Sequence, residues 1–332
     1  MPELPEVETV RQTLLPEVTG RLIVVTDIIT PGVLLNPDQL ELPANPDANS
    51  KSACSGGWRT DKDSPCRKTA KQASWKITGL ERRGKYLIIR LLRSTAAQPR
   101  QAALLVHLRM TGRLVLQQHY EKPLKHTHIR FVLSASDQNK ICDQAMPEDN
   151  IYPEDSIYMD YHDTRRFGRI WLLPADKNGK LIHAPSGFYL LGPEPLEAGF
   201  TSAVFTTHLR RRLKTPVKSA LLDQTVVAGL GNIYADEALF KACVQPRRPV
   251  SSLTDHEIEK LRRAIIDVLN EAISCQGTSL RDYVDGWNRK GRFQSCLMVY
   301  GRAGKSCRHC GGLITKTVLA GRTTCFCPSC QH

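Results

Sequence analysis

CRHCGGLITKTVLAGRTTCFCPSC, residues 307–330, holds two C-x2-C pairs separated by sixteen residues. That spacing predicts a four-cysteine zinc site with Cys307, Cys310, Cys327 and Cys330 as ligands. Between the pairs, Ile314–Val318 and Arg322–Phe326 flank Ala-Gly, so the insert reads as a β-hairpin. Two knuckles brought together by one hairpin converge on a single tetrahedral ion. Four thiolates leave no open position, so the zinc is structural. Cys325 alternates with Cys327 along the strand and is expected outside the coordination sphere.

The preceding hundred or so residues are helical in texture. Thr254-x-x-Glu257 is a capping box for a long helix to about Ser274, with Ile258, Leu261, Ile265 and Leu269 on one face. Upstream, a helix over 202–213 ends in Arg210-Arg211-Arg212, and a short helix covers 217–224. A tight turn follows at Ala228–Gly231, and Asn232 is read as the cap of a second helix to about Lys241. This helix–turn–helix pattern has exposed amides and an Asn that could take a phosphate. Residues 277–294 are polar and Gly-containing, and read as a binding loop or a solvated linker.

The first half of the chain is mostly β. Strands are expected over 22–30, 85–92, 103–108 and 127–134, with another after Asp163–Gly168. The Arg-Arg-Phe-Gly tip at 165–168 is a turn that could also push into a base stack. Residues 37–74 and 135–157 read as surface loops, with Cys54 and Cys66 as free thiols in the first. Residues 176–200, rich in Gly and Pro, read as an interdomain connection.

At the other end stands MPELPEVETVRQ (1–12). With Met1 removed, Pro2 carries a free secondary α-amine, whose pKa near ~8 leaves a useful unprotonated fraction at neutral pH. Attack of that amine on an aldehyde carbon gives an iminium that keeps its charge, the electron sink of amine covalent catalysis. Glu3 beside it is a candidate acid/base. Pro5 suits the first turn of a helix, and Val7, Val10 and Leu14 give that helix an apolar face.

The chain has 332 residues and a formal charge of +13, which suggests two domains and a polyanionic partner. No signal peptide, bilayer-spanning run or basic amphipathic helix with an aromatic face is read, so a cytoplasmic place without membrane contact is expected. Eleven Cys, scattered and then clustered at the end, do not form a secreted disulfide framework.

Together these pieces resemble one family, the formamidopyrimidine-DNA glycosylases. The resemblance runs through PELPEVETV (2–10), RRGKYL (82–87), HLRMTG (107–112), DTRRFG (163–168), LGPEPL (191–196), LLDQTVVAGLGNIYADEALF (221–240), VYGRAGKSC (299–307) and CPSCQ (327–331). It implies an α+β fold of two domains: an N-terminal β-sandwich with flanking helices, and a C-terminal helix–two-turn–helix domain with a four-cysteine β-hairpin zinc finger. The divisions expected are 1–182, a linker at 183–200, 201–294 and 295–332.

By the same resemblance the chain acts, as a monomer near the nucleoid, on double-stranded DNA carrying oxidised bases or abasic sites. Pro2 would attack C1′ and expel an oxidised purine, 8-oxoguanine or a formamidopyrimidine. Glu3 would handle protons, and β,δ-elimination would then cleave the strand. Lys85 matches a lysine near the scissile phosphates, and Arg322 a zinc-finger arginine that grips phosphate in the last elimination. Met110, Arg165 and Phe167 match the trio that fills the gap left by a flipped base. His126, Lys214 and Asn232 match phosphate contacts, Lys214 with a register open by one or two residues. Thr164 stands where Pro is usual and Arg109 where a small residue is usual. Two rivals stay in view: an endonuclease VIII-like enzyme for oxidised pyrimidines, and a non-catalytic lesion-binding protein.

Overall fold

The computed structural model describes residues 2–36, 40–43, 74–93, 100–135, 155–280 and 282–332. The expected loops 37–74 and 135–157 lie almost wholly outside these residues, as do Cys54 and Cys66. Helix α1 (Leu4–Val18) opens with Pro5 in its first turn and buries Leu4, Val7, Val10, Leu14 and Val18. Glu6, Glu8 and Thr9 are buried as well, because this helix is covered on both sides. One side packs on the β-rich half and the other on the helical half.

The strands of the β-rich half are β1 (Leu22–Ile28), β2 (Leu34–Leu35), β3 (Trp75–Arg83), β4 (Tyr86–Arg93), β5 (Arg100–His107), β6 (Gly112–Gln117), β7 (Thr127–Ser134), β8 (Ile157–Asp163) and β9 (Arg169–Pro174). Among the described residues they run in the order β2-β9-β5-β4-β3-β1-β7-β8-β6. The β1–β3 seam is only two residue pairs long, Leu22↔Lys76 and Ile23↔Trp75. About that seam the sheet folds over. Ile77, Leu87 and Leu104 from one side share a core with Leu116, Phe131 and Met159 from the other, and with Val7 and Val10 of α1. The result is the expected β-sandwich with a flanking helix, continuous along one edge.

Sequence reading passes over β3, β6 and β8. In β3 a register shift between Ile77 and Gly79 breaks the apolar alternation. In β8 the buried positions include Asp160 and Asp163. Asp160 forms a fork with the Arg130 guanidinium of β7 at 2.6 and 2.7 Å, so its charge is satisfied inside the sandwich.

The helical half holds α2 (Ser186–Tyr189), α3 (Ser202–Arg210), α4 (Val217–Leu222), α5 (Asn232–Lys241) and α6 (Asp255–Ser274). The capping box of α6 is present: Thr254 Oγ1 accepts from Glu257 N at 3.2 Å, and Glu257 accepts from Thr254 N at 2.8 Å. The apolar face of α6, with Phe205, Leu230 and Leu239, forms the second core. Helix α3 stops at Arg210, short of 213, and Arg211 to Thr215 form turns ahead of Pro216. The zinc hairpin pairs β10 (Thr315–Leu319) with β11 (Arg322–Phe326) through Ala320-Gly321, both at positive φ. No helix among the described residues is long and apolar enough to cross a membrane.

Candidate active site

The Pro2 end of α1 is buried at the junction of the two halves. Leu4 N donates to Gly229 O at 3.0 Å, which seats the start of the chain on the Ala228–Gly231 turn. The glycines there make room for it. At Gly229, held at φ +83, a Cβ would meet Leu4 at 2.7 Å, and a Cβ on Gly231 would run into the Glu3 carboxylate. The sequence reading gave the N-terminus of α5 to an Asn232 cap and a phosphate. The cap is corrected: Gly231 is the N-cap residue and the side-chain acceptor is Glu3, while the Asn232 amide donates to Thr323 O. Its carboxylate takes Ile233 N at 3.0 Å and Tyr234 N at 3.5 Å. The helix N-terminus thus fixes the acid/base candidate beside Pro2.

Glu6 sits one turn behind. Its Oε2 accepts Glu3 N at 2.8 Å, and its Oε1 accepts Thr278 N at 2.8 Å and the Tyr234 hydroxyl. Burial, reinforced by the Glu3 charge, pushes the Glu6 carboxyl up to about 7. Within the 277–294 stretch, Thr278, Tyr283 and Gly286 all bond to α1, to Glu6 Oε1, Glu6 O and Thr13 Oγ1. Tyr283 in it is buried with the sandwich core.

Lys85 follows Gly84 in the turn between β3 and β4, and its side chain is buried. Burial holds its amine below the ordinary lysine range; Glu3 and Glu6 oppose that shift, and Arg322 adds to it. Those influences place Lys85 within electrostatic reach of Glu3, Glu6 and Arg322 together. The turn is fastened by Glu194 of the LGPEPL segment, which sequence reading gave no role. Glu194 takes Gly84 N at 2.6 Å, Arg83 Nη1 at 2.7 Å and Arg82 Nη1 at 2.6 Å.

Arg322 is exposed at the hairpin tip. The next peptide is gripped from below, since Thr323 O accepts Asn232 Nδ2 at 3.0 Å and Lys218 Nζ at 2.9 Å. Lys218 has no exposed surface and is paired with Asp236 at 2.7 Å, with Thr324 Oγ1 at 2.8 Å as a further partner. Sequence reading missed it. The available signal was a lysine in α4 among Val217, Ala220 and Leu221, all fully buried. Lys214, the expected phosphate contact, is exposed in the turns before α4.

Met110 and Phe167 are large, exposed apolar side chains on the 109–111 and 165–168 loops. The Arg165 guanidinium lies 4.6 Å over the Phe167 ring. His126 occupies a nearby turn at φ 74, and its carbonyl accepts Asp163 N at 3.1 Å.

The four hairpin thiols all lie within 4.8 Å of one another, with Cys307–Cys330 at 4.0 Å and Cys310–Cys327 at 3.4 Å. A tetrahedron of Zn–S bonds of ~2.3 Å needs sulfurs ~3.8 Å apart, so the set fits one structural zinc. Cys325 is outside it, as expected. Its thiol is buried within electrostatic reach of Lys218, and its N–H donates to Asp236 Oδ2 at 3.0 Å.

Three family models match the chain: the formamidopyrimidine-DNA glycosylase N-terminal domain over 59–170, its H2TH domain over 191–284, and a zinc finger found in FPG and IleRS over 304–332. A formamidopyrimidine-DNA glycosylase of Pelotomaculum thermopropionicum is 40% identical over 331 residues, covering 100% of this chain and 99% of the relative. One of Geobacillus kaustophilus is 37% identical over 337 residues, covering 100% of both. Among solved structures, a Lactococcus lactis FPG variant in complex with Fapy-dG-containing DNA superposes with a TM-score of 0.73 at 31% identity over 100% of both chains. The MutM protein of Thermus thermophilus gives 0.70 at 33% identity over 99% of this chain and 98% of that one. With relatives this similar over their whole length, and three domain models in the same order, the chain belongs to the formamidopyrimidine-DNA glycosylase family.

Proposed function

We propose that this protein excises oxidised purines, 8-oxoguanine and formamidopyrimidines, from duplex DNA and then cleaves the abasic strand. The observation that carries the reading is the convergence at Pro2. Glu3, next to Pro2, is fixed on α5 through Ile233 N, and from opposite ends of the chain Glu3, Glu6 and Arg322 all act on the buried amine of Lys85. Removal of Met1 frees the Pro2 nitrogen. Glu3 takes the proton of that amine as its lone pair bonds to C1′. The glycosidic bond breaks with its electrons on the base, which leaves as its anion and takes a proton from water. Glu3 returns that proton to O4′ as the C1′–O4′ bond opens to the iminium. Loss of the C2′ proton expels the 3′ phosphate, and a second elimination expels the 5′ phosphate. Lys85 and Arg322 bear the phosphate charge through these steps. Asn232, His126 and the basic surface hold the backbone, while Met110, Arg165 and Phe167 occupy the space the extruded nucleotide leaves.

A second reading, excision of oxidised pyrimidines, is favoured by one observation: a Lactococcus lactis relative has been solved with an oxidised-pyrimidine-containing DNA. A cleavage panel of duplexes with 8-oxoguanine, a formamidopyrimidine, an oxidised pyrimidine or an abasic site tests both. Fastest turnover on the two purine lesions is expected. Fastest turnover on the pyrimidine would overturn the purine assignment. Glu3→Gln should stop base excision yet still nick the preformed abasic site, where no base has to leave.

A further inference from the structure

We propose that Asp163 is a positioning residue that locks the 109–111 and 165–168 loops into one wedge, so that Met110, Arg165 and Phe167 enter duplex DNA as a unit. This rests on the reading of those three side chains as fillers of the gap. Asp163 ends β8 with no exposed surface. Its Oδ1 accepts the Thr111 hydroxyl at 2.5 Å and Arg165 N at 3.2 Å. Its Oδ2 accepts Gly168 N at 2.7 Å and the Tyr161 hydroxyl at 3.2 Å. One buried carboxylate therefore holds a donor from each loop and both ends of the second loop. Thr111 Oγ1 in turn accepts Arg165 N at 3.2 Å, a direct bond between the loops.

The backbone of Asp163 extends the knot. Its N–H donates to His126 O at 3.1 Å, and its carbonyl lies 2.8 Å from Nε2 of the buried His128, whose Nδ1 is 2.9 Å from Thr30 Oγ1. The turn of a candidate phosphate contact is thus fixed to the same point as the wedge. Space is tight around it. A Cβ on Gly168 would collide with the Tyr161 hydroxyl, and one on Gly112 would meet that hydroxyl at 2.8 Å. Arg109 and Arg166, at φ 55 and 56, turn the chain sharply at each tip. An exposed Met and an exposed Phe on two separate loops would each swing on its own. A buried, four-donor carboxylate between the loops makes a deflection of one a deflection of the other.

The test is a double-mutant cycle on single-turnover excision of 8-oxoguanine. Met110→Ala, Phe167→Ala and the double variant are compared in the parent and in Asp163→Asn. In the parent, the double variant should lose less than the product of the two single losses, by at least about threefold. In Asp163→Asn the losses should multiply, and excision should already be slower by about tenfold from misplacement alone. Thr111→Val removes both bonds of the Thr111 hydroxyl, to Asp163 Oδ1 and from Arg165 N, at nearly constant shape and should move the cycle the same way, whereas Thr111→Ser should restore the parent coupling. Thr111→Val also carries the test if Asp163→Asn fails to fold by its melting temperature. Coupling unchanged in these backgrounds overturns the proposal. If Met110→Ala and Phe167→Ala each leave excision untouched, it is the gap-filling reading itself that fails.

Discussion

The zinc hairpin and the Pro2 site are built in opposite ways. The hairpin draws its four ligands from 24 consecutive residues, 307–330, and its geometry is set by coordination chemistry. The Pro2 site draws Glu3 from the start of α1, Lys85 from the β3–β4 turn, amides from α5, Thr278 from the loop after α6 and Arg322 from the hairpin. The Glu3–Ile233 bond alone spans 230 residues. A site that is local can be damaged alone. A site assembled from every part of the fold fails when any of its supports shifts. The two meet at Thr323, whose carbonyl ties the metal module to α4 and α5.

The sharpest way to break the comparison is at Pro2. An N-terminal tag or a retained Met1 turns the amine into an amide, so borohydride trapping on an 8-oxoguanine duplex should vanish while DNA binding largely persists. Peptide mapping should place the parent adduct on Pro2. An adduct on Lys85 would show that the site is organised around the wrong nitrogen.

The hairpin offers the next largest effect. Folding of such a module is coupled to metal binding worth ~10–16 kcal/mol in isolated fingers. Cys327→Ser should lose zinc, unfold the hairpin and abolish DNA binding, whereas Cys325→Ser should keep one zinc per chain. Metal analysis decides, and retained zinc in Cys327→Ser would contradict the ligand set.

The junction can be tested through the buried Lys218–Asp236 pair. Lys218→Met leaves a carboxylate uncompensated and should cost about 3–5 kcal/mol. Lys218→Met with Asp236→Leu should recover most of that stability in denaturant titration. It should not recover the final elimination step if the pair serves to hold Arg322 in place. Full recovery of both would mean that the two regions are energetically independent.

Glu6 gives a smaller, pH-dependent effect. Its folded pKa is raised, to about 7 against the ordinary 4.5, so the native state holds a proton that the unfolded state has released between those values. Its contribution to stability is complete below about pH 4.5 and is lost as pH rises through 7. The span is on the order of 3 kcal/mol. Denaturation midpoints of Glu6→Gln at pH 5 and pH 8 should differ less than those of the parent. An unchanged difference would remove Glu6 from the account.

The smallest effect belongs to Arg322. If it contacts one phosphate, Arg322→Ala should lower the slope of log affinity against log salt by about 0.9 on damaged and undamaged duplex alike. Phe167→Ala should leave that slope unchanged and act on lesion processing. Equal loss of undamaged binding in the two variants would erase that division of roles.

The sequence alone determined what is periodic or local: the zinc ligands by their spacing, the Thr254–Glu257 box, the apolar face of α1, and the amine that Pro2 would carry. Its motifs were specific enough to resemble one family. The tertiary structure decided everything that depends on a partner far along the chain. It capped α5 with Glu3 and not Asn232. It buried Lys218 against Asp236, gave Glu194 the Lys85 turn to hold, and made Asp163 the knot between two loops. Each of these is a charged group whose place is fixed by donors or counter-ions from elsewhere. Burying such a group is costly until those partners arrive. Periodicity reports the apolar face that drives collapse, and it does not report which distant partner will satisfy a buried charge.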